Sequence, residues 1–187
     1  TDKNGEWFGI DDAIAFVIGG AVNLTVNLIQ GNIDNIGEGL AAFGAGGTAG
    51  TFALYGPAGW TAGGAIVGGT NAWVSGAQGW DILQGAGIGV FSGLAGGAVG
   101  QWAAQGLGNV VVQGLNITSP VLKGVVGGTI GGAAGGYAGG FTGGLLATGD
   151  LSAAHQAGMS CMITGAPIGG VAGGIGGYAN AKSNDIN

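Results

Sequence analysis

The sequence predicts an all-α fold: a glycine-zipper bundle of about six or seven apolar helices in close packing. Three observations carry that prediction. Capping residues and breakers recur at helix-length spacing. Glycines stand four residues apart in long rows, which puts each row on one helix face. Between residues 39 and 149 the only charged side chains are Asp81 and Lys123, too few for a water-facing surface.

The elements follow in order. Asp11 or Asp12 caps a first helix running to about Gln30. Ile14, Val17, Ile18, Val22 and Ile29 share its broad apolar face, with Asn23, Asn27 and Gln30 opposing. Gly31-Asn32 breaks it, and Asp34 or Asn35 starts a second helix to about Tyr55. Gly56-Pro57 ends one helix and opens the third, because proline suits a first turn. The third runs to about Ala77, and Asp81 caps a fourth to about Gln105. Val110, Val111 and Val112 are β-branched and flanked by glycine, so Gly106–Thr118 is expected to be a loop or one short strand. Ser119-Pro120 opens the fifth helix, residues 120–147, closed by Gly149. Asp150 caps a sixth, which Pro167 breaks or kinks. A last segment ends near Tyr178, and residues 180–187 form a polar, frayed tail.

Glycine supplies 49 of the 187 residues. It costs about 1 kcal/mol per helix position relative to alanine. The rows explain why it is tolerated. Gly85, Gly89, Gly93 and Gly97 form one row. Gly124, Gly128, Gly132, Gly136, Gly140 and Gly144 form a second, and Gly127, Gly131, Gly135, Gly139 and Gly143 a third. Gly165, Gly169, Gly173 and Gly177 form a fourth. A face without side chains lets another backbone approach closely, as between membrane helices. The same faces would also permit tight packing inside a soluble bundle. Residues 120–147 have the length of a membrane span but carry glycine where leucine is usual, so this helix inserts poorly alone. Trp7, Trp60, Trp80 and Trp102 fall near expected helix ends, as suits a membrane interface or packing over glycine gaps; Trp73 is the exception.

Several function classes are excluded. Charged residues are 6% of the chain, against a usual ~25%. Hydrophobic residues are 47%, which excludes a disordered linker, and three prolines exclude collagen. A net charge of −6 and three lysines, Lys3, Lys123 and Lys182, exclude nucleic acid as a partner. Cys161 is alone, so there is no internal disulfide. His155 is the single histidine and is expected to be buried or capping; no triad with Ser152, Ser160 or Cys161 is expected. No catalytic residue, cofactor or metal site is predicted, because one histidine and one cysteine make no ligand set and no GxxxxGK[ST] loop occurs. Asn23-Leu24-Thr25 and Asn116-Ile117-Thr118 match the glycosylation pattern, which is frequent by chance. The chain opens without methionine and is expected to be a processed piece of something longer.

The run Thr1-Asp2-Lys3-Asn4-Gly5-Glu6 resembles the close of the core module of Rhs/YD-repeat proteins, with Lys3 where that family usually has proline. The stretches WFGIDDAIAFVIGGAVNLTVNLIQGNI, ALYGPAGW, GLNITSPVLKG and GDLSAAHQAGMS are similar to glycine-rich segments that follow the core in Bacteroidetes-type Rhs polymorphic toxins. The resemblance implies residues 1–10 as core end and linker, 11–179 as a glycine-rich helical domain and 180–187 as a tail. It also implies a secreted effector for interbacterial competition, delivered into a target cell and carried in its own Rhs shell, with an immunity protein as partner. It implies no enzyme residues. The expected function is a non-enzymatic toxin or translocation module that self-associates through glycine faces and permeabilises or crosses a target membrane. The alternative is a structural module that packs into or plugs a larger secreted assembly.

Overall fold

A computed structural model describes residues 10–184 of the chain. These form seven α-helices and no strand. The helices are α1 (Ile10–Gln30), α2 (Ile36–Ala53), α3 (Gly56–Val74), α4 (Trp80–Gln105), α5 (Leu107–Gly114), α6 (Pro120–Thr148) and α7 (Leu151–Asn184). The chain divides inside α4 into two compact units, Thr1–Gly93 and Leu94–Asn187.

Local chemistry sets most helix ends. The Oδ1 of Asn35 accepts the Glu38 amide at 3.0 Å, and Glu38 Oε2 accepts the Asp34 amide at 2.7 Å, so α2 opens on two satisfied donors. Ser119 caps α6, with Pro120 in the first turn. Gly149, at φ 70°, closes α6 in the left-handed conformation, and its amide donates to the Leu145 carbonyl at 2.8 Å. The Oδ1 of Asp150 then accepts the Ala153 amide at 2.8 Å and opens α7.

Five expectations are corrected. Residues 107–114 are the helix α5, neither loop nor strand. No described strand offers a ladder partner, and α5 buries Val112 while laying Gly108 on the Gly127 backbone. The last two expected segments are one helix, since α7 continues through Pro167 and past Tyr178 to Asn184. Proline removes one helix hydrogen bond, but glycine contacts on both sides of it, Gly165 on Gly132 and Gly169 on Gly128, hold α7 along α6. Residues 180–184 therefore belong to α7 and not to a frayed tail. Asp11 and Asp12 lie within the first turn of α1, not before it. Trp73 is no exception, because α3 ends one residue later at Val74. Trp7 and Thr1–Glu6 lie outside the described residues.

The interior is small-chained. Among the described residues the buried apolar side chains are Ala42, Ala45, Val74, Ala103, Val112 and Ala154. The helices meet instead through backbone. A Cβ on Gly128 would overlap the Gly169 carbonyl oxygen, and one on Gly169 would overlap that of Gly128. The pairs Gly124–Gly173 and Gly132–Gly165 repeat this contact along α6 and α7. In the first unit, Gly64–Gly89 joins α3 to α4 in the same way, and Gly19–Gly46 joins α1 to α2.

This packing predicts opposite effects of one substitution at two glycines. Gly132→Ala should destabilise the chain by about 1–3 kcal/mol, as overpacking does. Gly87→Ala lies on α4 with nothing within 4 Å and should stabilise by up to about 1 kcal/mol. Chemical denaturation in detergent, followed by circular dichroism, compares the two; equal effects would contradict backbone contact at Gly132.

Candidate functional site

The chain's described grooves are lined mainly by apolar residues. What it presents is an arrangement of faces: glycine against glycine inside, asparagine at one centre, and large apolar side chains outside.

The predicted glycines are placed as follows. Gly124, Gly128, Gly132, Gly136, Gly140 and Gly144 line the α6 face toward α7. Gly165, Gly169, Gly173 and Gly177 answer them from α7; Gly177 meets the Pro120 carbonyl. Gly131 and Gly135 face the second half of α4, where built Cβ atoms would stand 2.8 Å from the Gly100 oxygen and 2.6 Å from the Gly96 oxygen. Gly139 is on that face too, its Cα 3.3 Å from a Cβ on Gly96, and Gly127 lies against Ala104 and Gly108. Gly85, Gly89 and Gly93 meet Gly68, Gly64 and the Trp60 carbonyl of α3. Gly97 and Gly143 are half-buried, and the α4 seam to α6 is carried instead by Gly96 and Gly100. Reading the rows missed Gly96 and Gly100, Gly64 and Gly68, and Gly46 and Gly50. Each pair has the four-residue spacing but is too short to stand out where glycine is so frequent.

Asparagines converge in the first unit. Asn23 Nδ2 donates to the Ala42 carbonyl at 2.9 Å and to Asn71 Oδ1 at 3.1 Å, and Asn71 Nδ2 returns a bond to Asn23 Oδ1 at 3.0 Å. Asn27 Nδ2 donates to Asn71 Oδ1 at 2.9 Å and to the Asn23 carbonyl at 2.9 Å. Asn32 Nδ2 donates to Asn27 Oδ1 at 3.2 Å. Asn27 is fully buried, and no buried side-chain polar atom among the described residues lacks a partner. The network ties α1 to the backbone of α2 and the side chain of Asn71 on α3. It also removes Asn23 from the reach of glycosylation, whereas Asn116 is exposed in the turn after α5.

The apolar side of α1 is left partly outside: Val17 is 58% and Ile29 77% exposed, and Ile14, Ile18 and Val22 are half-buried. Ile36 and Leu40 on α2, Trp80 and Phe91 on α4, and Ile163 and Val171 on α7 are exposed as well. A groove of about 680 Å³ in the first unit is walled by Phe16, Phe52 and Tyr55, with Ala58, Gly59 and Ala62. The hydroxyls of Thr48 and Thr51 on its wall bond backwards to the Gly44 and Gly47 carbonyls. Three stretches are long and apolar enough to cross a membrane: Asp12–Gln30, Trp80–Gly114 and Leu151–Tyr178. Little of each is buried, and α6 is not among them.

His155 is neither buried nor capping. It is exposed on α7, with Nδ1 2.9 Å from the Tyr137 hydroxyl of α6 and the two rings edge to face at 5.9 Å. It pairs with Tyr137 rather than with Ser152, Ser160 or Cys161. Among the described residues no group of three or more His, Cys, Asp or Glu side chains is placed to hold a metal ion.

Replacing Asn71 by leucine tests the polar centre. It removes the 3.0 Å donor to Asn23 Oδ1, which keeps only a 3.4 Å bond from Asn27 Nδ2, and one acceptor each of Asn23 Nδ2 and Asn27 Nδ2; an unsatisfied buried polar group costs about 1–3 kcal/mol. Asn71→Leu should lower the thermal midpoint of the chain in detergent, whereas Asn116→Leu, in an exposed turn, should not. A midpoint unchanged by Asn71→Leu would mean that the network contributes nothing. No protein-family model matches this chain, and no curated protein and no solved structure is significantly similar to it.

Proposed function

We propose that the chain is a membrane-active toxin or translocation module of a secreted effector, which associates through glycine faces and permeabilises or crosses a target bilayer. The observation that carries this reading is the inverted burial of α1. Asn23 and Asn27 are inside and hydrogen-bonded, while Val17, Leu28 and Ile29 are exposed and Ile14, Ile18 and Val22 are only half-buried. Water drives the opposite arrangement, since each exposed large aliphatic side chain forgoes about 1.5–3 kcal/mol of burial. A hydrocarbon surrounding makes outward apolar faces neutral and inward polar groups favourable.

The helices divide the work. Three stretches are apolar enough to insert. α6, with eleven glycines, is not among them and lies with glycine faces against both the second half of α4 and α7. It enters as the partner of helices that insert for themselves. The tryptophans at helix ends suit the interfacial layer. The resemblance to segments after Rhs cores supplies the rest of the proposal: export, delivery to a target cell, an Rhs shell before release and an immunity protein as antagonist. A module that plugs a secreted assembly is the second reading, in which a protein shell covers the same apolar faces.

Vesicle experiments separate the two. The purified chain should float with liposomes and release an entrapped dye. Ile163→Arg, at an exposed position in the middle of α7, should reduce release about tenfold or more, because a mid-span arginine costs about 2.5–3.5 kcal/mol on insertion scales. In a protein that stays in water, an exposed isoleucine-to-arginine change is close to neutral. Ile36→Arg, at the first residue of α2, is the control and should have little effect. A wild-type chain that neither floats nor releases dye would overturn the membrane reading in favour of the structural module.

A further inference from the structure

We propose that the α6–α7 hairpin enters a bilayer turn-first: the Gly149-Asp150 turn crosses, while the end bearing Lys123 and Lys182 stays at the face of entry on anionic lipid headgroups. This inference rests on the membrane reading above and adds a direction and a lipid partner to it.

The two helices are antiparallel over their length. Gly124 meets Gly173, Gly132 meets Gly165, Gly140 meets Ala157 and Cys161, and Gly144 meets Ala154. The start of α6 therefore lies beside the end of α7. Lys123 stands in the first turn of α6, and Lys182 lies in the last turn of α7. The lysines of the second unit thus share one end. Exposed Tyr178 belongs to the same end. Trp102, also exposed, lies on that half as well, since its neighbours Gly100 and Ala104 pack on Gly131 and Gly127. Aromatic and basic residues together are the composition of an interfacial anchor, and an anionic leaflet attracts the cations.

The opposite end is built differently. It holds no cation; its one charge is Asp150. Several of its polar groups are already engaged. Thr148 Oγ1 donates to the Gly144 carbonyl at 2.8 Å and accepts the Asp150 amide at 3.2 Å. The Gly149 amide donates to Leu145, and the Ala153 and Ala154 amides donate to the Asp150 side chain and carbonyl. A turn of two residues between helices, with these donors paired, carries little unsatisfied backbone into hydrocarbon. Two cations drawn to anionic headgroups sit at one end and a single carboxylate at the other, so the lysine end is the one held back. From Lys123 to Thr148 the helix rises about 38 Å at about 1.5 Å per residue, enough to span a core of roughly 30 Å.

Site-directed labelling tests the direction. Cys161 is the single cysteine, so Cys161→Ser gives a cysteine-free background. Into it, Leu151→Cys marks the turn and Leu115→Cys marks the lysine end; both leucines are exposed. Each full-length variant is added outside vesicles of phosphatidylcholine and phosphatidylglycerol, floated, and treated with a membrane-impermeant maleimide. The expected result is that position 151 labels only after detergent while position 115 labels at once. Asp150→Lys puts a cation at the turn, which the anionic entry face retains, and should slow protection of position 151 about fivefold or more. Asp150→Asn keeps a capping side chain and should leave it as fast or faster. Vesicle-bound protein in which position 151 stays reactive, or in which position 115 is protected and 151 is not, overturns the turn-first entry while leaving the membrane reading intact. Protein that does not float with vesicles overturns the membrane reading itself, and this proposal with it.

Discussion

The contact on which everything else depends is a carbonyl oxygen of one helix lying where the neighbouring helix would carry a Cβ. It recurs at Gly124–Gly173, Gly128–Gly169 and Gly132–Gly165, and again at Gly64–Gly89 and Gly19–Gly46. Backbones that meet in this way gain dispersion and Cα–H···O contacts over the whole seam. They also leave no room between them for a large side chain. The interior consequently fills with alanine and glycine, and phenylalanine, leucine, isoleucine and tryptophan are left to the outside. The apolar exterior is thus the geometrical consequence of thin seams.

Polar groups follow the same logic in reverse. Asn23, Asn27 and Asn71 have short side chains that fit where α1, α2 and α3 come together, and each amide finds both donors and acceptors there. Interhelical amide bonds of this kind do for the first unit what repeated glycine contact does for the second. Both devices satisfy the backbone and the polar side chains internally. That is what a helix bundle needs if its surface is to face hydrocarbon.

α6 shows how far a helix can depend on its neighbours. Eleven glycines in 29 residues weigh against its formation by roughly 10 kcal/mol relative to alanine. Its two glycine faces are occupied, one by α7 and one by the second half of α4. α7 is supported in return, because the contacts around Pro167 hold it straight enough to remain one helix. Neither helix is an independent element, because each is packed along the other.

By itself the sequence determined the fold class and most helix boundaries, because caps, breakers and four-residue glycine rows are local features whose physics does not depend on partners. Asn35, Pro57, Asp81, Ser119, Gly149 and Asp150 mark their helix ends within a residue or two of where they were read. Only the tertiary structure decided the rest. A run of three valines between glycines reads as strand or loop, and becomes α5 because α6 offers a glycine backbone to pack on and no strand offers a ladder. Pro167 reads as a break, and is carried through by contacts with residues more than thirty positions away. The two faces of α1 could be recognised as polar and apolar, but not which of them turns inward. Periodicity reports that two faces differ; the choice between them belongs to the partners, here Ala42 and Asn71, which complete hydrogen bonds that α1 cannot make within itself.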